Sequence, residues 1–350
     1  MEVNGKSRNE LIKERLWNID FQTKKEWWGG DRNIFYNEEM KSESILMRKA
    51  YAIEYTLRFM PVFIRDYELI VGVPNMSSVG FGREFVDFTT PEEKDYALKT
   101  SMMTYKQYWD SHPGNYKTLL EKGVRGIKTD IYEEIDKELN KTPAEVDQEK
   151  IELFRAMIIA LDALVGFAHR YAKLCLEKAS ESDDAERAKE LTEIAHILMR
   201  VPENPATSFH EALQSMWLFH TVIHSCMDMM PVGRTDQYMY PYYKADIESG
   251  KITKEYAREL LTSFLAKFPE RHMSNKNHWE PEHTTVLDEA IGGATPEEYE
   301  KFFFMLDSTS DYNYGTDANH FLQNMIVGGL TPEGVDGTND LTYMILEQTE

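Results

Sequence analysis

The chain has 350 residues, 42% of them hydrophobic and 28% charged, enough to bury a large core in one big domain or two ordinary ones. A formal net charge of −21 and a sequence pI near 5.0 exclude a basic, phosphate-binding footprint and point to a solubilising surface, so no nucleic-acid partner is expected. Two cysteines, Cys175 and Cys226, cannot staple a chain of this length, and the usage fits a reducing cytoplasm.

No apolar run is long enough to cross a bilayer. The strongest one, from Ala156 to Ala168, is broken by Asp162, and the first residues carry no apolar h-region that would mark export. The 18 Met and the abundant aromatics fit irregular core packing without any cofactor.

In chain order the pattern is mostly helical. Apolar residues from Met40 through Leu57 predict a helix over Asn37–Phe59, closed by Pro61. The stretch Asp66–Gly72 reads as a turn into a short buried strand. A Gly/Ser-rich loop follows, and Thr90-Pro91-Glu92-Glu93 reads as an N-cap with Pro at the first helical position. Helical spacing is sustained from Glu149 to Lys178, with Phe154, Leu161, Leu164, Ala168 and Tyr171 on one broad face. The charged run Glu181–Lys189 separates this helix from another that ends near Val201-Pro202. Further helices are predicted over Ser208–Ser225, over Thr235–Glu248, from Thr253, from Thr295 and from Thr338. Residues 324–329 read as a strand. There is no internal repeat. Strand–helix alternation begins late, so the pattern looks unfinished.

Several motifs fail on inspection. His210-Glu211 lacks the second histidine of a zinc-protease helix, Gly72–Gly82 lacks dinucleotide-loop spacing, and neither cysteine has a Cys-x-x-Cys partner. His220, His224 and Asp228 recur at i, i+4 and i+8. Two imidazoles and a carboxylate could bind a metal there, but Asp228 falls at or past the predicted helix end, and a polar cavity face is the preferred reading. His278 and His283 fit a surface loop. Asp228, among Met227, Met229 and Met230, could have a raised pKa suited to proton transfer. The alternative is that it pairs with Arg234 to hold a loop.

The run from Pro202 to His220, with Phe209-His210-Glu211-Ala212-Leu213-Gln214 at its centre, resembles the glycyl radical enzymes, and so does Gly233-Arg234-Thr235-Asp236-Gln237. The resemblance extends to Ile64–Gly72, Ala156–Ala172 and Gly328–Tyr343, and runs from about Arg15 to the last residue. It implies a ten-stranded α/β barrel wrapped by helices. About 1–200 would be the helical outer region, and about 201–350 the start of the barrel. It also implies a homodimer in the cytoplasm with no membrane partner. No cofactor would be bound: a glycyl radical, installed by a radical-SAM activating enzyme, takes hydrogen from a cysteine that then attacks a small-molecule substrate.

Neither the family's catalytic cysteine loop nor its radical-glycine context occurs in these residues. Cys175-Leu176-Glu177 and Val79-Gly80-Phe81 only mimic them. Catalytic residues are therefore expected in none of this chain, and no metal is expected. What the resemblance carries over is a substrate-binding role for Asp228 and for His112, which precedes Gly123 by the family's interval. His224, Arg234, Phe321 and Leu322 are pocket-lining candidates. These imply a lyase or dehydratase acting on a small hydroxylated or aminated substrate by radical elimination. The alternatives are a pyruvate formate-lyase-type formate C-acetyltransferase and a non-catalytic subunit or binding module.

Overall fold

The computed structural model describes residues 2–3, 5–17, 32–72, 86–100, 108–109, 113–228, 231–270 and 324–349. The Gly/Ser-rich loop predicted over Pro74–Gly82 lies outside them. So do the helix from Thr295, His278, His283, and Val79–Phe81.

A two-residue antiparallel pair, β1 (Glu2–Val3) with β2 (Lys6–Ser7), leads into α1 (Arg8–Trp17). Ser7 and Glu10 cap that helix reciprocally, the Ser7 N–H donating to Glu10 Oε2 at 2.7 Å. α2 spans Ile45–Phe59, not Asn37–Phe59. A 3₁₀ turn, Glu38–Lys41, occupies the beginning of the predicted run, and another, Ile34–Tyr36, precedes it. The side chains of Asn33, Asn37 and Ser44 each accept from a following backbone N–H, and the last two of these caps divide what periodicity joins. α3 (Pro91–Lys99) starts as predicted, with a capping box between Thr90 and Glu93.

Strand β3 (Tyr108–Trp109) and helix α4 (Tyr116–Leu139) were not expected from the sequence. Gly123 and Gly126 disguise α4, which kinks where Gly123 takes φ +65°. α5 (Gln148–Glu181) and α6 (Ala185–Leu198) follow, capped by Asp147 and Asp184. Then come α7 (Phe209–Cys226), β4 (Met227–Asp228), α8 (Thr235–Glu248), α9 (Lys254–Leu265), α10 (Lys267–Glu270) and α11 (Asp340–Thr349).

Two cores meet along α7. Leu218 and Val222 join residues of α2, α4, α5 and α6, including Leu57, Phe167, Tyr171 and Leu198. Phe209, Leu213, Met216 and Trp217 join α8, α9 and α11 through Met239, Leu260, Phe264 and Ile345. A helix apolar on nearly every side must be buried, and α7 is. No helix among the described residues is long and apolar enough to cross a membrane.

The stretch Leu69–Gly72 is buried as expected but pairs with no strand among the described residues. Its backbone is satisfied instead by side chains of α7. The Gln214 amide accepts from Val71 N–H at 2.9 Å and donates to Val71 C=O at 2.8 Å. Trp217 Nε1 donates to Gly72 C=O at 2.5 Å, and His210 Nε2 lies 2.8 Å from Leu69 C=O. A buried backbone must find partners, and a polar stripe at i, i+4 and i+7 on one helix supplies them here. His210, singled out by its failed metal motif, is therefore a backbone holder, and burial keeps its pKa below that of an ordinary imidazole.

Immediately upstream, Tyr67 holds φ +67°, and its carbonyl accepts from Arg8 at 2.7 Å. The neighbouring Glu68 is tied to Lys267 at 2.7 Å in a fully buried pair, and its carbonyl accepts from Arg187 at 2.9 Å. Ionic contacts from α1, α6 and α10 thus fix the approach to the extended segment.

The other two-stranded sheet among the described residues is parallel. β3 pairs with β4 in the register Tyr108↔Met227 and Trp109↔Asp228. Just beyond β4, Gly233 bridges Met325 in parallel, with Val232 N–H donating to Asn324 C=O and Ile326 N–H to Gly233 C=O, both at 2.9 Å. Among the described residues, the segment predicted as a strand over 324–329 contributes this short pairing before its glycines turn the chain. The boundary drawn near 201 leaves β3 on the helical side, so the parallel sheet draws on residues from both sides of it.

Candidate functional site

The register Trp109↔Asp228 puts Asp228 on a parallel strand at the end of α7, beside the strand that runs on toward His112. α7 stops at Cys226, so Asp228 leaves the helix and does not share a helix face with His220 and His224. His224 lies within the last turn of α7. The side chains of His224 and Asp228, and all of His112, Phe321 and Leu322, lie outside the described residues. Among the described residues no three His, Cys, Asp or Glu side chains gather as metal donors.

Around these positions the structure shows how the frame is held. Tyr116 opens α4 and is buried, and its hydroxyl lies 2.8 Å from Nδ1 of the equally buried His220. The Tyr116 ring stacks on Tyr238 with centroids 6.1 Å apart and meets Phe219 edge-on at 5.8 Å. Burial first, and then the neighbouring Tyr238, push the Tyr116 hydroxyl well above the usual phenol range. Tyr116 is therefore a neutral phenol at physiological pH. Tyr238, raised mainly by burial, spends its hydroxyl on the Val232 carbonyl and on Thr235 Oγ1 at 3.0 Å.

The motif Arg234–Gln237 has a defined local task. Arg234 donates from its two terminal nitrogens to the carbonyls of Leu330 and Gly328. Asp236, fully buried, accepts from Gly328 N–H at 2.7 Å and from Thr342 Oγ1 at 2.5 Å. Gln237 donates to Gly337 C=O at 2.7 Å. A Cβ on Gly337 would sit 2.8 Å from the Gln237 side chain and 3.0 Å from that of Arg234, which explains a glycine there. Of the pocket-lining candidates, Arg234 is thus engaged with the loop 328–337, next to the parallel bridge at Gly233.

Cys175 sits mid-helix in α5 with no exposed surface, and burial pushes its thiol up to about 12. A thiol held protonated inside an apolar core is a poor nucleophile.

Sequence reasoning missed Tyr116, Tyr238, Gln214 and Trp217. The available signal was a row of hydrogen-bonding side chains (His210, Gln214, Trp217, Thr221) along a helix otherwise apolar all round. Such a row marks backbone or side-chain partners buried alongside.

The helical cover over a parallel sheet has the fold of the glycyl radical enzymes. The crystal structure of hydroxyproline dehydratase from Clostridioides difficile, with trans-4-hydroxy-L-proline bound, aligns with a TM-score of 0.67 at 21% identity, over 100% of this chain and 46% of that one. A glycyl radical enzyme from Archaeoglobus fulgidus aligns with a TM-score of 0.66 at 23% identity, covering 98% of this chain and 46% of that one. At such identities the likeness concerns fold. Residues 82–350 match the family described as pyruvate formate lyase-like, and the chain belongs to that family. Isethionate sulfite-lyase of Nitratidesulfovibrio vulgaris is 32% identical over 239 residues, which make up 67% of this chain and 24% of that protein. The chain thus spans about a quarter of the length of that relative.

Proposed function

We propose that this chain is the N-terminal part of a glycyl radical lyase or dehydratase that removes a substituent from a small hydroxylated or aminated substrate. The observation that carries the reading is the parallel register Trp109↔Asp228. It puts a carboxylate-bearing strand beside the strand that leads to His112, in a chain similar to isethionate sulfite-lyase and, in fold, to hydroxyproline dehydratase.

In this reading the short parallel pairs begin a ten-stranded barrel, and the helices of residues before and between them form its wrapping. The radical chemistry is supplied from outside these residues, by a glycyl radical that a radical-SAM activating enzyme installs. No cofactor is held by the chain itself, the assembly is a homodimer in the cytoplasm, and the 350 residues alone do not turn over substrate.

What this chain supplies is acid–base chemistry and shape. Asp228, among methionines, holds the hydroxyl proton of the substrate at its carboxylate. His112 donates a proton to the departing group. Loss of a leaving group becomes easier when a base takes the hydroxyl proton and an acid protonates what leaves. His224, Phe321 and Leu322 line the pocket, and the buried frame around Tyr116 and Trp217 keeps water out.

The test is turnover by the protein as its gene encodes it, activated anaerobically and offered isethionate, trans-4-hydroxy-L-proline and glycerol. Elimination product from at least one, falling at least about 100-fold in Asp228→Asn, is expected. Formation of an acyl product from pyruvate, or full activity in the Asp228→Asn variant, would overturn it.

A further inference from the structure

Where α4, α7 and α8 meet, three oxidisable rings gather, and their polar hydrogens have different partners. Trp217 Nε1 donates to the Gly72 carbonyl at 2.5 Å, and the Tyr238 hydroxyl donates to the Val232 carbonyl. Tyr116 Oη lies instead 2.8 Å from His220 Nδ1. A peptide carbonyl accepts a hydrogen bond but is too weak a base to take the proton. A bare imidazole nitrogen is a base, and here it stands within hydrogen-bond reach of a phenol.

We propose that Tyr116 and His220 form a redox-active pair: when the phenol loses one electron, its proton crosses to His220 Nδ1 and a neutral phenoxyl radical remains. The step uses the tautomer of His220 with its proton on Nε2, in which Nδ1 is the acceptor. The O–H bond breaks, an N–H bond forms, the imidazole becomes imidazolium, and the electron goes to a one-electron oxidant. In the radical enzyme proposed above, that oxidant is a thiyl radical, which is reduced to a thiolate. The identity of the oxidant rests on the proposed function; the pair itself rests on its geometry.

Two further observations suit the Tyr116 ring to hold an unpaired electron. The first is shelter. Tyr116 is 2% exposed and His220 1%. A Cβ on Gly114 would lie 2.6 Å from Ile223 Cδ1, 3.0 Å from the Tyr116 ring and 3.1 Å from the Phe219 ring, so the backbone closes against the phenol without room for a side chain. A phenoxyl radical held there cannot meet a second one and couple.

The second is the company of other electron-rich groups. The Tyr116 ring stacks on Tyr238 with centroids 6.1 Å apart, Tyr238 Oη lies 3.6 Å from Met216 Sδ, and the Trp217 ring lies 5.7 Å from that of His220. Electrons cross between groups this close, and the vacancy settles where a proton can leave, on Tyr116. The pair is then a sink: a stray oxidising radical ends on a sheltered phenol and spares the backbone.

The test uses the protein as its gene encodes it, without activation. It is oxidised anaerobically by a flash-generated ruthenium(III) polypyridyl complex and frozen for electron paramagnetic resonance. A persistent phenoxyl signal is expected, narrowed by ring-deuterated tyrosine and coupled to the nitrogen of isotope-labelled histidine. Tyr116→Phe keeps the ring packing and should lose the signal. Tyr243→Phe should keep it, because the buried Tyr243 hydroxyl has no hydrogen-bond partner among the described residues. His220→Gln separates proton transfer from mere support. Its side chain can accept the hydrogen bond but cannot take the proton, so the signal should be lost there as in His220→Leu. The pair is overturned by a wild type with no persistent signal, by a signal without histidine coupling, or by one that survives Tyr116→Phe or His220→Gln. The labelled wild type decides even where a variant fails to fold. Since the oxidant is photochemical, a protein that forms this radical yet eliminates from no substrate counts against the proposed function alone.

Discussion

Replacing Gly123 by alanine puts a methyl group where the backbone of another segment already runs. The added Cβ would lie 2.4 Å from the carbonyl carbon of Asn204, 2.6 Å from Glu203 O and 2.8 Å from Asn204 Cα. Backbone cannot rotate aside as a side-chain tip can. The residue also holds φ +65°, where an L side chain costs about 1–2 kcal/mol. Forcing a methyl into filled space adds about 1–3 kcal/mol. Opening the turn to make room would strain two backbone bonds that start at the kink, Val124 N–H to Pro202 C=O and Arg125 N–H to Glu203 C=O, both 2.9 Å. A loss of about 3–5 kcal/mol follows, seen as a lowered midpoint in urea denaturation with little change in slope. Gly166 is the internal control. It lies within α5 with nothing within 4 Å of a Cβ, so Gly166→Ala should gain about 0.5–1 kcal/mol from helix propensity. If Gly123→Ala costs less than about 1 kcal/mol, the kink is not held against the 202–204 turn as described.

Glu138 accepts from Lys141 Nζ at 2.6 Å and from Asp147 N–H at 2.9 Å, with Lys150 at 3.3 Å; these contacts, Lys141 first, lower its pKa to about 2. A carboxylate lowered on folding stabilises above its unfolded pKa near 4.5 and loses that contribution as pH falls toward 2. Glu138→Gln should therefore flatten the stability profile between about pH 5 and pH 2, read by acid titration of the circular dichroism signal. Cys175, pushed up to about 12 by burial, should resist iodoacetamide at pH 8 in the native protein and react at once in guanidinium, as peptide mass spectrometry would show; modification of the native chain at Cys175 would contradict its burial. Gln214→Leu keeps the volume but strands both Val71 N–H and C=O, and should cost about 2–4 kcal/mol in denaturant titration; a neutral result would mean that Leu69–Gly72 finds other partners.

Where hydrophobic period and capping chemistry agreed, the sequence alone was sufficient. α8 runs from Thr235 to Glu248 as read, closed by Ser249-Gly250. α3 begins at Pro91 behind Thr90, and α9 follows its Thr253 cap. Where they conflicted, the caps prevailed. The Asn37–Phe59 pattern is cut at Ser44 because a satisfied cap outweighs the few tenths of a kcal/mol per residue of helix propensity. α4 was hidden by two glycines, one of which exists for the tertiary contact at Asn204, and no local pattern encodes that contact. The strand expected at Asp66–Gly72 failed for a related reason. Continuous burial reads as a central strand when backbone partners are assumed to be other backbones. Here the partners are side chains more than 140 residues away in sequence.

The family was legible in long ordered similarity, but the tasks of its residues were not, and α7 shows why. It divides its circumference between two cores and a polar stripe, then ends in the strand that carries Asp228. His210, Gln214 and Trp217 hold the buried segment Leu69–Gly72, while His220 ties down the start of α4. Each side chain alone resembles a site residue, because buried polar groups and functional groups draw on the same amino acids. What separates them is the partner: a backbone carbonyl marks a holder, and a group with no partner within the chain marks a candidate for chemistry. By that criterion Arg234, with both terminal nitrogens on the carbonyls of the 328–330 turn, belongs with the holders. Its removal should loosen the turn that follows the bridge at Met325 before it touches any substrate.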